Sequence, residues 1–168
     1  MKAEKIQKII EKTYEAGKYE NLNLETFFGS INVASAEEDN IFLKMACEIS
    51  AETKEIAEKI FESIDLQDEL FENKINILTT IPRKLQEEFT ELFEKCNDIS
   101  IKYDINLPKK FKLGLKSGGG NISLKELIGN FEIKTAGGNM ILKKLEGFIN
   151  AKTAGGNINM DEINLNGS

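Results

Sequence analysis

Residues 134–157 read KTAGGNMILKKLEGFINAKTAGGN, and this stretch decides the fold because the six letters that begin at Lys134 return unchanged at Lys152. A weaker copy, KSGGGNISLKELIGNFEI, starts at Lys116, which precedes Lys134 by the same interval. Three copies therefore follow one another towards the C-terminal end of the sequence. A repeat of constant length indicates a stack of equivalent structural units.

Side chains suited to a buried face recur at every second position of the repeat, as in Phe131, Ile133 and Thr135 before the glycines and Met140 and Leu142 after them. This period of two is typical of strands with one buried face. The repeat is too short for a strand, a helix and two loops. The sequence therefore predicts a mainly β protein, a parallel β-solenoid with coils of about 18 residues whose equivalent residues stack at roughly 4.8 Å.

Glycine and asparagine mark the corners of these coils. Gly137 and Gly138, with Gly155 and Gly156 one repeat later, are expected where positive φ or the close approach of neighbouring coils excludes a Cβ atom. One asparagine from each copy forms a predicted ladder: Asn121, Asn139 and Asn157. Its alternative role is to bind calcium or a glycan, but calcium-binding repeats carry aspartates at such turns and this turn has none.

The same pattern extends outward from the repeats to most of the chain. A weaker version in residues 23–35, NLETFFGSINVAS, places the start of the solenoid near residue 21. Helical spacing of apolar residues predicts two helices inserted at about 51–64 and 83–96. One solenoid domain is therefore expected over 21–168.

Residues 1–20 are expected to form a separate amphipathic helix. Its apolar stripe consists of Ile6, Ile9, Ile10 and Tyr14. A stripe this narrow suits a helix that caps the open end of the solenoid. The alternative is a helix that binds a partner.

The repeats also carry two columns of lysines. The first column is Lys116, Lys134 and Lys152, and the second is Lys125 and Lys143. Like charges about one coil apart are tolerated only where water screens them, so both columns are expected on the surface. They act either as a solvated face that blocks aggregation or as a face that binds an anionic polymer or membrane surface.

Composition excludes several kinds of chemistry. The 168 residues include no histidine and no tryptophan, and Arg83 is the single arginine. Without histidine there is no Ser-His-Asp or Cys-His nucleophile pair and no histidine-ligated zinc. The net charge of −6 argues against nucleic-acid binding, but it averages 12 basic and 22 acidic residues up to position 100 with 10 basic and 6 acidic residues after it. The C-terminal part is therefore mildly basic, with a net charge of +4.

Cysteine usage and the N-terminal residues bear on the compartment. Cys47 and Cys96 lie in or beside apolar runs, and two cysteines do not make a disulfide framework, so free thiols are favoured over a pair. The sequence as given shows no export signal and no apolar stretch of membrane-spanning length. On these residues alone the chain is expected to be cytoplasmic unless a signal precedes it.

Several motifs in this order resemble the bacterial putative-adhesin family, a domain family of unknown function. They are FFGSINV, a helix of the SAETKEIAEKIFESI kind, the lead-in Tyr103-x-Ile105-x-Leu107-Pro108, GGGNISL and two TAGGN coils. The resemblance covers roughly residues 20–165. It implies a β-solenoid, frequent in secreted or envelope-associated bacterial proteins, with adhesive or scaffolding roles and no catalytic residues to carry over.

The leading functional hypothesis is a non-enzymatic, adhesin-like binding or scaffolding module of the cell envelope, with no cofactor and no metal. The alternative is a structural module that self-associates through the open edge of its last coil. A polysaccharide-acting enzyme is the lesser alternative, because such sites need clustered carboxylates. The acids of the repeats form no convincing pair: Glu126, Glu132, Glu146, Asp161 and Glu162.

Overall fold

The structure, a computed structural model, describes residues 3–37 and 40–165. Within these ranges the chain forms eleven strands and two helices. The strands are β1 (Glu4–Glu15), β2 (Asn21–Thr26), β3 (Ser30–Ser35), β4 (Asn40–Ala51), β5 (Asp65–Leu70), β6 (Lys74–Thr80), β7 (Cys96–Leu107), β8 (Lys112–Ser117), β9 (Ile122–Thr135), β10 (Met140–Thr153) and β11 (Ile158–Leu165). The helices are α1 (Lys54–Glu62) and α2 (Gln86–Phe93), which lie inside the ranges 51–64 and 83–96.

All eleven strands belong to one sheet, and that sheet is mixed. Its order is β1-β4-β7-β3-β9-β8-β2-β6-β5, with β10 added to β9 and β11 added to β10. The pairs β1-β4, β4-β7 and β5-β6 are antiparallel, whereas the strands of the repeats are parallel. The expectation of a parallel β-solenoid is therefore wrong, and the fold is a curled mixed sheet, a half-barrel. Alternating apolar residues show which face is buried, but they do not show the direction of the neighbouring strand.

The strands of the repeats pair in register, offset by one repeat length. Met140 lies between Ile122 and Ile158, and Leu142 lies between Leu124 and Met160. Ile122 also pairs with Ile31 of β3, which links the repeats to the weaker copy near the N-terminal end. Equivalent side chains therefore stack across four neighbouring strands.

β9 and β10 are long strands that bend. The first part of β9 pairs with β3 and its second part pairs with β8, and the change falls at Gly129, which has φ of +156° and pairs with Gly147. Just before the bend, Glu126 and Lys144 adopt left-handed backbone conformations with φ of 58° and 53°. These residues drop out of the regular pairing as bulges do, so the buried positions change from even to odd numbers.

Residues 1–20 do not form the expected helix, because β1 covers Glu4–Glu15 and pairs antiparallel with β4 along its whole length. Ile6, Ile10 and Tyr14 face the interior, whereas Ile9 is 49% exposed. A spacing of four residues fits one face of a helix and also one face of a strand, since four is a multiple of two. The strand prevails because β4 offers backbone to pair with along its whole length.

The core lies on the concave side of the sheet and is closed at one corner by the helices. Thr53 caps α1, its hydroxyl accepting a hydrogen bond from the Ile56 amide at 3.2 Å, and Ala57 and Ile60 are the buried residues of this helix. At the centre, the Tyr103 hydroxyl lies 3.0 Å from the Thr26 hydroxyl, and Tyr103 is fully buried. Burial raises the pKa of Tyr103, so this phenol stays neutral and hydrogen-bonded.

Side chains join the two ends of the main strand path, β1 and β5. The Tyr14 hydroxyl donates a hydrogen bond of 2.8 Å to Asp68, and the Lys12 ammonium lies 3.1 Å from the other oxygen of the same carboxylate. Partial burial alone would raise the pKa of Asp68, but the hydrogen bonds from Tyr14 and Lys12 and the charge of Lys12 outweigh it and lower this pKa. We call this three-residue contact the seam.

The corner glycines give a matched pair of stability predictions. A Cβ atom at Gly138 would collide with the Gly120 carbonyl oxygen of the neighbouring strand, whereas a Cβ atom at Gly137 would meet nothing within 4 Å. We expect Gly138→Ala to lower the free energy of unfolding by about 2 kcal/mol or more, because backbone atoms cannot move aside cheaply. Gly137→Ala should change it by less than about 0.5 kcal/mol. Chemical denaturation of both variants tests this, and equal stabilities would contradict it.

The seam predicts a pH dependence of stability. Because the folded-state pKa of Asp68 is lowered, its contribution is present above the unfolded-state value of about 3.9 and is lost as the pH falls through the folded-state value. We expect Asp68→Asn to cost about 1–2 kcal/mol at neutral pH. That difference from the wild type should shrink below about pH 4 in denaturation series. A difference that stays constant down to pH 2 would disprove the role of the carboxylate.

Candidate functional site

The first lysine column lies on the outer face of the sheet. Lys116 of β8 pairs with Lys134 of β9, and Lys134 pairs with Lys152 of β10, so the three residues stand directly side by side on consecutive strands. Neighbouring strands lie roughly 4.8 Å apart, which sets the spacing between the lysine backbones. The column crosses the strands at a right angle.

A groove of about 540 Å³ follows this column, and we call it the cationic groove. Small residues lie beside the lysines along it, namely Gly118, Ala136 and Ala154. Gly118 has to be glycine, because a Cβ atom there would collide with the Phe27 carbonyl oxygen. The groove forms because the lysines are long, whereas the small residues two positions further along the chain have almost no side chain.

Positive charge in the groove is concentrated at Lys134 and Lys152, the end that is further from β2. Lys116 forms an ion pair with Glu25 of β2, with 3.5 Å between the Lys116 nitrogen and the carboxylate oxygen. Within residues 3–37 and 40–165, neither Lys134 nor Lys152 forms an ion pair. Two uncompensated ammonium groups are therefore available to an anion.

The second lysine column has a more balanced environment. Lys125 of β9 pairs with Lys143 of β10, but Lys143 then pairs with Asp161 of β11. The neighbouring bulge column brings Lys144 to 3.8 Å from Glu126. This side of the repeats therefore offers less net positive charge to a ligand.

The asparagines form a ladder through their side-chain oxygens. The backbone N–H of Asn139 donates a hydrogen bond to the side-chain oxygen of Asn121 at 2.8 Å, and the backbone N–H of Asn157 donates one to the side-chain oxygen of Asn139 at 2.9 Å. These bonds satisfy exposed backbone donors at the corner, where the sheet pairing is interrupted. The ladder oxygens are thus used within the corner itself.

The four corner glycines divide into two kinds. A Cβ atom at Gly156 would collide with the Gly138 carbonyl oxygen, just as one at Gly138 would collide with that of Gly120. Gly137 and Gly155 are not constrained in this way, since the nearest atom to a Cβ at Gly155 lies 3.8 Å away. Close approach of neighbouring strands therefore applies to one glycine of each pair.

A second, apolar cavity adjoins the cationic groove and was not anticipated from the sequence. Five residues line about 250 Å³, and we call it the phenylalanine pocket: Phe27, Phe28, Phe89, Phe93 and Ile99. Phe27 also lines the cationic groove, so the two cavities share a wall. These residues come from the turn after β2, from α2 and from β7, which are distant in the sequence, and the only local signal was the apolar stripe of α2.

Both cysteines are free thiols. Cys47 is buried, and this burial, with a smaller contribution from Cys96, raises the pKa of Cys47 to about 11. Burial also raises the pKa of Cys96, whose thiol lies 3.4 Å from the Ser50 carbonyl oxygen. Neither thiol is therefore activated as a nucleophile.

The described residues contain neither a cluster of metal ligands nor a helix that could span a membrane. No group of three or more Cys, Asp or Glu side chains within 3–37 and 40–165 is arranged to hold a metal ion. No helix in the same ranges has the length and apolar character needed to cross a membrane.

Similar proteins are found among solved structures. No protein-family model and no curated protein matches the sequence. Among solved structures, a "putative cell adhesion protein" from Clostridium sporogenes is 15% identical with a TM-score of 0.46, and the match covers 93% of this chain and 99% of that one. A "putative lipid binding protein" from Parabacteroides distasonis is 16% identical with a TM-score of 0.46, covering 94% and 60% of the two chains.

A "putative adhesin" from Bacteroides fragilis is 13% identical, with a TM-score of 0.37 and 94% of each chain covered.

Proposed function

We propose that this protein is a non-enzymatic, adhesin-like binding module whose ligand is an anionic polymer held in the cationic groove. The observation that carries the proposal is the pair of uncompensated lysines, Lys134 and Lys152, beside a floor of small residues. The groove runs across the strands, so a linear polymer lying in it meets one ammonium group at each strand. Its anionic groups then replace the missing counter-charges.

Electrostatics favours an extended ligand over a single small anion. Each exposed lysine contributes a modest interaction, because water and salt screen charges at a surface. Several contacts along one chain add to each other through effective concentration. A repeated column of lysines is therefore suited to a repeated anionic ligand such as a polyphosphate or an acidic polysaccharide.

The absence of catalysis is part of this proposal. The chain has no histidine, and its one arginine, Arg83, precedes α2 rather than lining the groove. The single carboxylate that lines the groove, Glu25, is held by Lys116. A glycoside hydrolase of the usual kind needs two carboxylates facing one bond, and the groove supplies one.

Charge reversal tests the proposed function. We expect Lys134→Glu/Lys152→Glu to weaken binding to immobilised polyphosphate at least about tenfold at low salt, since two attractive contacts become repulsive. Lys125→Glu/Lys143→Glu changes the net charge of the protein by the same amount and should weaken binding less than about threefold. Glu25→Gln, which releases Lys116, should strengthen binding modestly. Equal losses in the two double variants would refute a specific groove.

A second candidate function, self-association, is favoured by the exposure of β11. Within the described residues β11 has β10 as its only neighbour, and Met160 is 55% exposed although its partner Leu142 is fully buried. This inward-facing but uncovered residue is what a second copy would cover.

Substitution on β11 separates this candidate from the first. If self-association occurs through β11, Met160→Lys should abolish a concentration-dependent oligomer in light scattering, because a charge cannot be buried there cheaply. Ile141→Lys, at an outward position of β10 that is 52% exposed, should leave the oligomer intact. A wild-type protein that stays monomeric at millimolar concentration would eliminate this candidate.

A further inference from the structure

The phenylalanine pocket is an exposed apolar cavity lined by four phenylalanines and Ile99. Phe27 packs edge-on against Phe89, with ring centroids 6.3 Å apart, and Phe89 stacks on Phe93 at 5.8 Å. Phe93 remains 46% exposed and Phe28 remains 36% exposed. Its volume of about 250 Å³ exceeds the roughly 150 Å³ of an apolar cavity that accepts benzene.

This pocket opens next to the cationic groove, and Phe27 separates the two. The ring of Phe27 contributes to the pocket wall, while the Phe27 backbone runs beside Gly118 in the groove. At the spacing of a sheet, Lys134 lies two strands from β2, the strand that precedes Phe27, which is roughly 10 Å, and Lys152 lies one strand further. An apolar site and two uncompensated positive charges thus lie within the length of one flexible ligand.

The charged side chains near the pocket do not cancel the positive charge of Lys134 and Lys152. α2 carries Glu87, Glu88 and Glu91, and Glu94 follows it. At 100° per residue, Glu88 lies about 100° around the helix from Phe89 and the other three lie about 140–160° from it. Lys116 and Glu25 neutralise each other at the end of the groove nearest the pocket. Among the charged side chains that line the groove or the pocket, Lys134 and Lys152 are therefore the two that no ion pair within the described residues holds.

We infer that the groove and the pocket together bind one anionic amphiphile, a molecule with a phosphate or carboxylate head and an alkyl or aromatic tail. The head lies against Lys134 and Lys152, and the tail crosses Phe27 and enters the phenylalanine pocket. This inference rests on the anion-binding role that the proposed function gives to Lys134 and Lys152, and it adds an amphiphilic ligand that uses the same two lysines. The ligand inferred here is a single lipid-like molecule, whereas the ligand of the proposed function is a polar polymer.

Burial of the tail supplies affinity that the lysines alone lack. Removing apolar surface from water contributes about 25 cal/mol for each Å², and the five lining side chains present almost no polar atom to oppose it. The lysines add selectivity, because a cationic head would meet two like charges. Affinity should therefore depend on both ends of the ligand at once.

A fluorescent amphiphile tests the inference on the full chain. Dansylaminoundecanoic acid carries a carboxylate at one end and a solvent-sensitive fluorophore at the other, and the protein has no tryptophan to interfere. Below the micelle concentration we expect a saturable blue shift of its emission. An alkyl phosphate should displace it, whereas inorganic phosphate and an alkyl ammonium at the same concentration should not.

Matched variants assign the two ends. Lys134→Glu/Lys152→Glu should raise the dissociation constant about tenfold or more, and Phe93→Ser should raise it about fivefold, because each removes one of the two contacts. Lys125→Glu/Lys143→Glu and Phe148→Ser are the controls, since Phe148 is 55% exposed on β10, away from the pocket. Both controls should change it less than twofold. Circular dichroism verifies that each variant is folded.

Three results would overturn the inference. They are equal binding of the cationic amphiphile, no effect of Phe93→Ser, and binding to anionic vesicles with no binding of the monomer, which would favour a membrane surface instead. The proposed function fails separately, when the lysine variants leave polyphosphate binding unchanged. If polyphosphate binding depends on Lys134 and Lys152 while the amphiphile does not bind, the polymer proposal stands and the amphiphile is excluded.

Discussion

The close approach of equivalent backbones at the corner is the constraint on which the rest of this structure depends. A Cβ atom at Gly120 would collide with the carbonyl oxygen of Gly29, one at Gly138 with that of Gly120, and one at Gly156 with that of Gly138. The asparagine side chains beside them accept hydrogen bonds from backbone N–H groups at the corner, where the pairing of the strands is interrupted. Together they hold β9, β10 and β11 in register, so every equivalent residue of the repeat forms a column.

Because equivalent residues form columns, each kind of side chain in the repeat extends across several strands of the surface. The position of Lys116, Lys134 and Lys152 becomes a row of cations, and the position of Gly118, Ala136 and Ala154 becomes a floor. A one-residue slip would move the lysines into the core, so the groove depends on the same register as the core. The same strand register therefore determines both the packing of the core and the position of the lysines in the groove.

Local periodicity is the signal from which the repeat, the two inserted helices and the lysine columns were predicted. It misplaced the N-terminal residues, since Ile6, Ile10 and Tyr14 satisfy both helical and strand spacing and only pairing with β4 decides between them. The parallel solenoid was wrong for a related reason. Strands β4 and β7 alternate like those of the repeats, and their antiparallel pairing comes from a chain reversal that periodicity does not encode.

By itself, the sequence determined the repeat that stacks, the glycines that allow close approach, and the absence of histidine chemistry, because these are properties of residues and of their spacing. Tertiary structure alone decided which charges remain uncompensated and where apolar surface is left open. Glu25 neutralises Lys116 only because β2 pairs with β8, and Phe27 meets Phe89 only because α2 packs over the turn after β2. Such contacts join residues that are far apart in the sequence, and no local pattern contains them.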